Sequence, residues 1–84
     1  MKVRVKYFAS LREALGEQEA IDLPAGAASV AQLRDWLILR SESHAQVLAR
    51  GRAVRCALGQ RMCDESESLQ DGAEVAFFPP VTGG

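Results

Sequence analysis

Few side chains in this sequence could do chemistry, and the most reactive candidate is not a side chain. The chain closes with Phe77-Phe78-Pro79-Pro80-Val81-Thr82-Gly83-Gly84. A terminal carboxylate is a poor acyl donor, but an ATP-dependent partner can turn it into an acyl-adenylate, open to attack by sulfur, nitrogen or oxygen. Gly83 and Gly84 have no Cβ, so the backbone can thread a narrow channel and an attacking atom meets little hindrance. Pro79 and Pro80 limit the segment's freedom, so less ordering entropy is lost when it inserts into another protein. Six residues from Pro79 onward span roughly 20 Å when extended. Two terminal glycines can arise by chance; placed after a buried strand and a diproline they are more informative.

The other reactive residue types are scattered. His44 is the only histidine and has no nucleophile or metal-ligand set beside it, which disfavours a catalytic base. Cys56 and Cys63 lack Cys-x-x-Cys spacing and a nearby histidine, so small core or edge residues are preferred over a metal or redox role. No P-loop, Gly-x-Gly-x-x-Gly, His-Glu-x-x-His or nucleophile–base spacing is present. The expectation is a chain with no metal site and no active site of its own, whose catalyst lies in a partner.

Such a tail needs a rigid root. Residues 2–8 alternate Lys2, Arg4 and Lys6 with Val3, Val5 and Tyr7, which predicts a half-buried strand and leaves Phe8 on the charged face or just past the strand's end. Ser10-Leu-Arg-Glu13 fits a capping box with Ser10 as N-cap, and Gly16 ends the short helix begun there. Glu19 to Leu23 predicts a second strand with Ile21 and Leu23 inward, ended by Pro24. Ser29 and Gln32 form a second capping box. Val30, Leu33, Trp36, Leu37 and, less cleanly, Leu39 then make the stripe of one long amphipathic helix over about residues 30–40. Trp36 is read as a core anchor in preference to a binding residue.

Residues 41–52 are polar and irregular, with room for one helical turn around His44 to Leu48. Arg50, Arg52 and Arg55 read as a solvated face before a contact for an acidic partner. Val54 to Leu58 and Arg61 to Cys63 predict a hairpin about a tight Gly59-Gln60 turn. Leu69 is a core plug, Asp71-Gly72 a turn, and Ala73 to Phe78 the last strand.

The resulting order, β, short α, β, long α, β, β, β and a tail, is that of an α+β roll, whose common small form is the β-grasp: a mixed sheet of four or five strands crossed by one long helix. Residues 1–78 form the domain and 79–84 a projecting tail. First and last strands then run side by side. Val75 and Phe77 face the helix while Ala76 and Phe78 face outward, where Phe8, Phe78 and Met62 from the return strand can meet in an exposed apolar docking patch. The competing reading folds Phe78 over the sheet edge into the core.

Composition agrees with one small domain and excludes several partners. Eighty-four residues cannot bury two cores. Ten basic and eleven acidic residues give a net charge of −1, with no electrostatic pull toward nucleic acid or a membrane. The opening Met-Lys-Val-Arg-Val-Lys carries charge at every second position, unlike a signal peptide or a membrane span, so a cytoplasmic location is expected.

The segment from Asp71-Gly72 through Glu74-Val-Ala-Phe-Phe-Pro-Pro-Val-Thr-Gly-Gly84 resembles the C-terminal signature of the small subunit of molybdopterin synthase, the MoaD family. Residues 5–16, Val-Lys-Tyr-Phe-Ala-Ser-Leu-Arg-Glu-Ala-Leu-Gly, are similar to that family's first strand and short helix. The resemblance implies a ubiquitin-like β-grasp and a non-catalytic sulfur-carrier subunit that binds no cofactor itself. A ubiquitin-activating-type enzyme (MoeB family), using ATP and Mg, would adenylate Gly84, and a sulfur-transfer protein would convert it to a thiocarboxylate. The tail, Pro79 to Gly83, would enter the large subunit (MoaE family), usually within a heterotetramer, where the thiocarboxylate gives sulfur to cyclic pyranopterin monophosphate and forms the molybdopterin dithiolene. The family's apolar docking positions match Phe8, Met62 and Phe78. Gly59 departs from the family, which often has Asn there, and the Arg50–Arg55 segment is unusually basic. Other readings of the same end are a thiamine-pathway sulfur carrier, a protein modifier joined to lysines through Gly84, and a plain interaction domain.

Overall fold

The structure, a computed structural model, describes residues 1–24 and 26–80. Among these residues eight elements occur in order: β1 Lys2–Tyr7, α1 Ser10–Leu15, β2 Gln18–Asp22, α2 Val30–Ile38, α3 Glu42–Leu48, β3 Arg55–Leu58, β4 Arg61–Cys63 and β5 Ala73–Phe78. The strands form one mixed sheet in the order β2-β1-β5-β3-β4. Only β1 and β5 are parallel, in a register pairing Val5 with Val75 and Tyr7 with Phe77. This is the expected α+β, ubiquitin-like β-grasp architecture, with five strands.

The period-two pattern places Val3, Val5, Tyr7, Val75 and Phe77 on the inner face, where all five are buried. Val30, Leu33 and Leu37 of α2 close over them at the 3.6-residue spacing, and Ile21, Leu23, Leu48 and Leu69 complete the same cluster. Ser29 caps α2 by accepting from the Gln32 N–H at 3.2 Å. The return bond goes one residue further out than in a standard capping box, from the Ala28 N–H to Gln32 Oε1 at 2.7 Å. Two more free amides at the start of α2, on Val30 and Ala31, donate to the carbonyls of Glu67 and Glu65. The helix is two residues shorter than its stripe suggested. Leu39 lies past its end and is 87% exposed, so it is no part of the core. Trp36 packs on the margin of the cluster, half-buried, with the Arg40 guanidinium 5.2 Å from its ring centre.

Two local expectations fail. Ser10 is not an N-cap: the cap position is Ala9, at φ 54°, and no side chain bonds to the free amides of α1. The chain leaves β1 through this turn, and the carbonyls of Phe8 and Ala9 receive the Leu11, Arg12 and Glu13 N–H groups, which draws Ser10 into the helix itself. Gly16 does end α1, at φ 92°. The second miss is α3, a full helix where one turn was expected. Ser41 caps it, accepting from the His44 N–H at 3.1 Å. The buried Arg34 guanidinium serves its other end, donating to Leu48 O and Ala49 O, both at 2.7 Å, and to Glu65 at 2.6 Å. These bonds offset the cost of burying its charge. Arg50 is likewise engaged rather than merely solvated, binding Asp35, Glu65 and the Ala31 carbonyl, while Arg52 and Arg55 are exposed as expected.

Candidate functional site

The outer face of the sheet is built from the alternate residues of the same strands. Lys6, Glu74 and Ala76 lie at its centre, with Lys6 and Glu74 paired at 2.8 Å. Beyond them the face becomes apolar. Phe78 stands opposite Arg55, and Ala57 lies between Ala76 on one side and Met62 on the other. Phe8 enters from the far end of β1, its N–H bonded to the Phe77 carbonyl at 3.2 Å. Phe8, Met62 and Phe78 line one open groove of about 400 Å³ with Lys6, Ala57, Gln60, Glu74 and Ala76.

Phe8 is 46% exposed and Met62 62%, which is unusual for side chains whose burial would stabilise the fold. Strand register therefore brings Phe8, Met62 and Phe78 together on the outer face, as expected, and Phe78 faces the groove rather than the core. Met62 is held there by a two-residue hairpin turn in which Gly59 and Gln60 both have positive φ, 56° and 70°. Pro79 and Pro80 come directly after β5, half-buried and outside any strand. Val81, Thr82, Gly83 and Gly84, the predicted insertion segment and reacting end, lie outside the described residues.

On the opposite side of the domain, sequence reading missed a polar network. The Glu19 Oε2 atom accepts from the Tyr7 hydroxyl at 2.7 Å and from His44 Nε2 at 2.6 Å, with Arg40 3.4 Å from the other oxygen. With the proton on Nε2, the His44 Nδ1 accepts the Ser41 hydroxyl at 2.6 Å. Burial would raise the Glu19 carboxyl, but the hydrogen bonds from His44 and Tyr7 and the nearby charge of Arg40 hold it below the usual carboxylate range. Burial, together with the hydrogen bond to Glu19, pushes the Tyr7 hydroxyl well above its ordinary value. Every polar atom here is occupied with a protein partner, and the network ties β1 and β2 to α3. It positions the fold, not a substrate. Among the described residues no group of histidine, cysteine and acidic side chains is arranged to hold a metal, and no helix is long and apolar enough to cross a membrane.

An apolar groove beside the end of β5, on a β-grasp sheet whose sequence closes with Gly-Gly, is a combination that can be compared with known proteins. The ThiS family profile matches residues 5–84. This chain belongs to that family. Within it, the chain is 38% identical over 82 residues to the molybdopterin synthase sulfur carrier subunit of Escherichia coli, covering 98% of this chain and 99% of that protein. This full-length kinship places it with the MoaD-type, ubiquitin-like sulfur carriers of the ThiS family. Among solved structures, SAMP1 of Haloferax volcanii superposes with a TM-score of 0.76 at 26% identity, each chain covered completely. A complex of subunits 1 and 2 of the molybdopterin-converting factor of Helicobacter pylori contains a chain that matches with a TM-score of 0.69 at 27% identity, again over both full lengths.

Proposed function

We propose that this chain is the sulfur-carrying small subunit of a molybdopterin synthase, with Gly84 as its reacting end. The full-length kinship with a sulfur carrier subunit carries this reading. The groove lined by Phe8, Met62 and Phe78 supports it, because it offers a partner an apolar footing beside the point where the chain leaves the sheet.

The division of labour rests on the chemistry the residues can do. Residues 1–78 form a rigid handle and residues 79–84 a tail. An adenylating enzyme of the MoeB family, using ATP and Mg, joins the Gly84 carboxylate to AMP and releases pyrophosphate. A sulfur-transfer protein then displaces AMP, leaving a thiocarboxylate. Pro79 and Pro80 direct the tail, Val81 and Thr82 carry it into the large subunit (MoaE family), and Gly83 leaves clearance around the reacting carbon. There the thiocarboxylate gives its sulfur to cyclic pyranopterin monophosphate, and Gly84 returns to a carboxylate. Catalytic groups belong to the large subunit, and ATP is bound by the activating enzyme rather than by this chain. Such chemistry suits a cytoplasmic protein and the heterotetramer implied by the resemblance.

The test is the intact mass of the full chain after incubation with the activating enzyme, ATP and a sulfur donor. The chain is expected to gain the mass difference between sulfur and oxygen, localised to Gly84. An unchanged mass, with an activating enzyme shown to work on another carrier, would overturn the reading.

A second reading is favoured by one observation, the similarity to SAMP1, a small archaeal modifier protein. The same adenylate, attacked by a lysine amine in place of sulfur, would give an isopeptide bond through Gly84. Glycine remnants on lysines of other cellular proteins after digestion would support it.

A further inference from the structure

Cys56 and Cys63 are directly opposed across the β3–β4 hairpin, with both thiols free. Their Sγ atoms lie 3.8 Å apart, and the Cys56 thiol donates to the Cys63 carbonyl at 3.3 Å. Opposed residues in an antiparallel pair have Cα atoms about 4.5 or 5.5 Å apart, and both spacings fall within the range a disulfide spans. A modest rotation of the two side chains would therefore close the bond without moving the backbone. The two sites differ in access. Cys56 is buried in the core cluster beside Phe77, whereas Cys63 is only half-buried and lines the open groove between β4 and residues 67–74.

We propose that Cys56 and Cys63 are an oxidation site, a reversible cross-strand dithiol that a peroxide converts to a disulfide pinning the β3–β4 hairpin. Cys63 reacts first because the oxidant reaches it from the groove. Its sulfur attacks one peroxide oxygen, the O–O bond breaks, water leaves, and Cys63 becomes a sulfenic acid. Cys56 Sγ then attacks Cys63 Sγ, the S–O bond breaks, and the oxygen leaves as water with the Cys56 proton. In total two thiols lose two hydrogens, and one peroxide is reduced to two waters. Burial, the Cys63 hydrogen bond and the nearby acidic charges push the Cys56 thiol up to about 12, so Cys56 is the less reactive of the two toward peroxide, and it gives up its proton only as it attacks the oxidised Cys63 beside it. Thiol–disulfide exchange with a small dithiol reverses the bond. The site lies beneath the docking groove, since Met62 is the neighbour of Cys63 and faces the other side of the hairpin. It does not depend on sulfur carriage by Gly84.

The experiment treats the full chain with hydrogen peroxide and tracks intact mass, free-thiol count and a non-reducing peptide map. The expected result is loss of the mass of two hydrogens, loss of both thiols, a peptide joining Cys56 to Cys63, and full reversal by dithiothreitol. The linked chain should also unfold at a higher temperature than the reduced one. C56S and C63S should each abolish the two-hydrogen loss, and the wild-type peptide map decides the matter even if a variant folds poorly. Three outcomes would each overturn the proposal: both thiols surviving peroxide that oxidises free glutathione, Cys63 accumulating as sulfinic acid with Cys56 still reduced, or a covalent dimer in place of the internal link.

Discussion

The two faces of the central strands are made by the same residues of sequence and have opposite fates. Along β1 and β5 the inner positions, Val5, Tyr7, Val75 and Phe77, are sealed under α2. One residue away in each direction, Lys6, Phe8, Ala76 and Phe78 form a face with no element among the described residues over it. Both faces contain large aromatics, so apolar content does not distinguish them; the difference is whether the domain itself supplies the cover. The inner face determines whether the chain folds. The outer face is the surface proposed to meet the partner.

The comparison can be broken most sharply by truncating a phenylalanine on each side. Phe77→Ala should cost about 3–5 kcal/mol in denaturant unfolding, from lost burial and the cavity left behind. Phe8→Ala and Met62→Ala should each cost about 0.5 kcal/mol or less. Either outer change should nevertheless weaken association with the large subunit by about tenfold or more, as expected of an anchor residue. Equal stability losses on both faces, or unchanged association, would remove the distinction.

A second test concerns the polar side of the inner region. Arg34→Leu leaves the last carbonyls of α3 without their donor and Glu65 without one of its charge partners, and should destabilise by about 3 kcal/mol. Smaller in effect is the acid dependence that Glu19 confers. Its carboxyl lies below its unfolded value of 4.5, so the unfolded chain takes up a proton first as the pH falls. The stabilisation is present in full above that value and is lost as pH falls through the lower folded value. Glu19→Gln should therefore flatten the stability profile in this acidic window, as measured by thermal unfolding against pH. The smallest change expected is at the hairpin. Gln60 holds φ 70°, a conformation that costs a residue with a Cβ about 1–2 kcal/mol. Gln60→Gly should stabilise by about 0.5 kcal/mol once the added freedom of the unfolded chain is subtracted.

These regions also differ in how far they can be read from sequence. Strict alternation in residues 2–7 specifies a strand, its inward set and its outward set at once, whereas residues 73–78 are nearly all apolar and their facing follows from the period of two once Val75 and Phe77 are set inward. That period, together with the side-by-side placement of the first and last strands and the β3–β4 hairpin, puts Phe8, Met62 and Phe78 in one patch. The Gly59-Gln60 and Asp71-Gly72 turns are legible for the same local reason. The illegible features depend on partners distant in the chain. Arg34 looks like an ordinary polar position until α3 arrives to present Leu48 and Ala49 to it. His44 looks isolated because Glu19 and Tyr7 lie on strands remote in sequence. Ser10 misleads because its spacing to Glu13 fits a cap, while the cap geometry is decided by the turn at Ala9. The short α3 has a usable signal, Ser41 before Glu42, which a search for N-caps in polar stretches would find.

The central proposal is that a complete fold ends with Phe78 and that the chemistry is carried by the six residues after it, Pro79 to Gly84. Removing Gly84 alone tests this most directly, with the shortened chain assayed beside the full one for unfolding and for dithiolene formation with the large subunit. The expected result is stability unchanged to within about 0.5 kcal/mol together with complete loss of sulfur donation. Dithiolene formation that persists without Gly84 would contradict it.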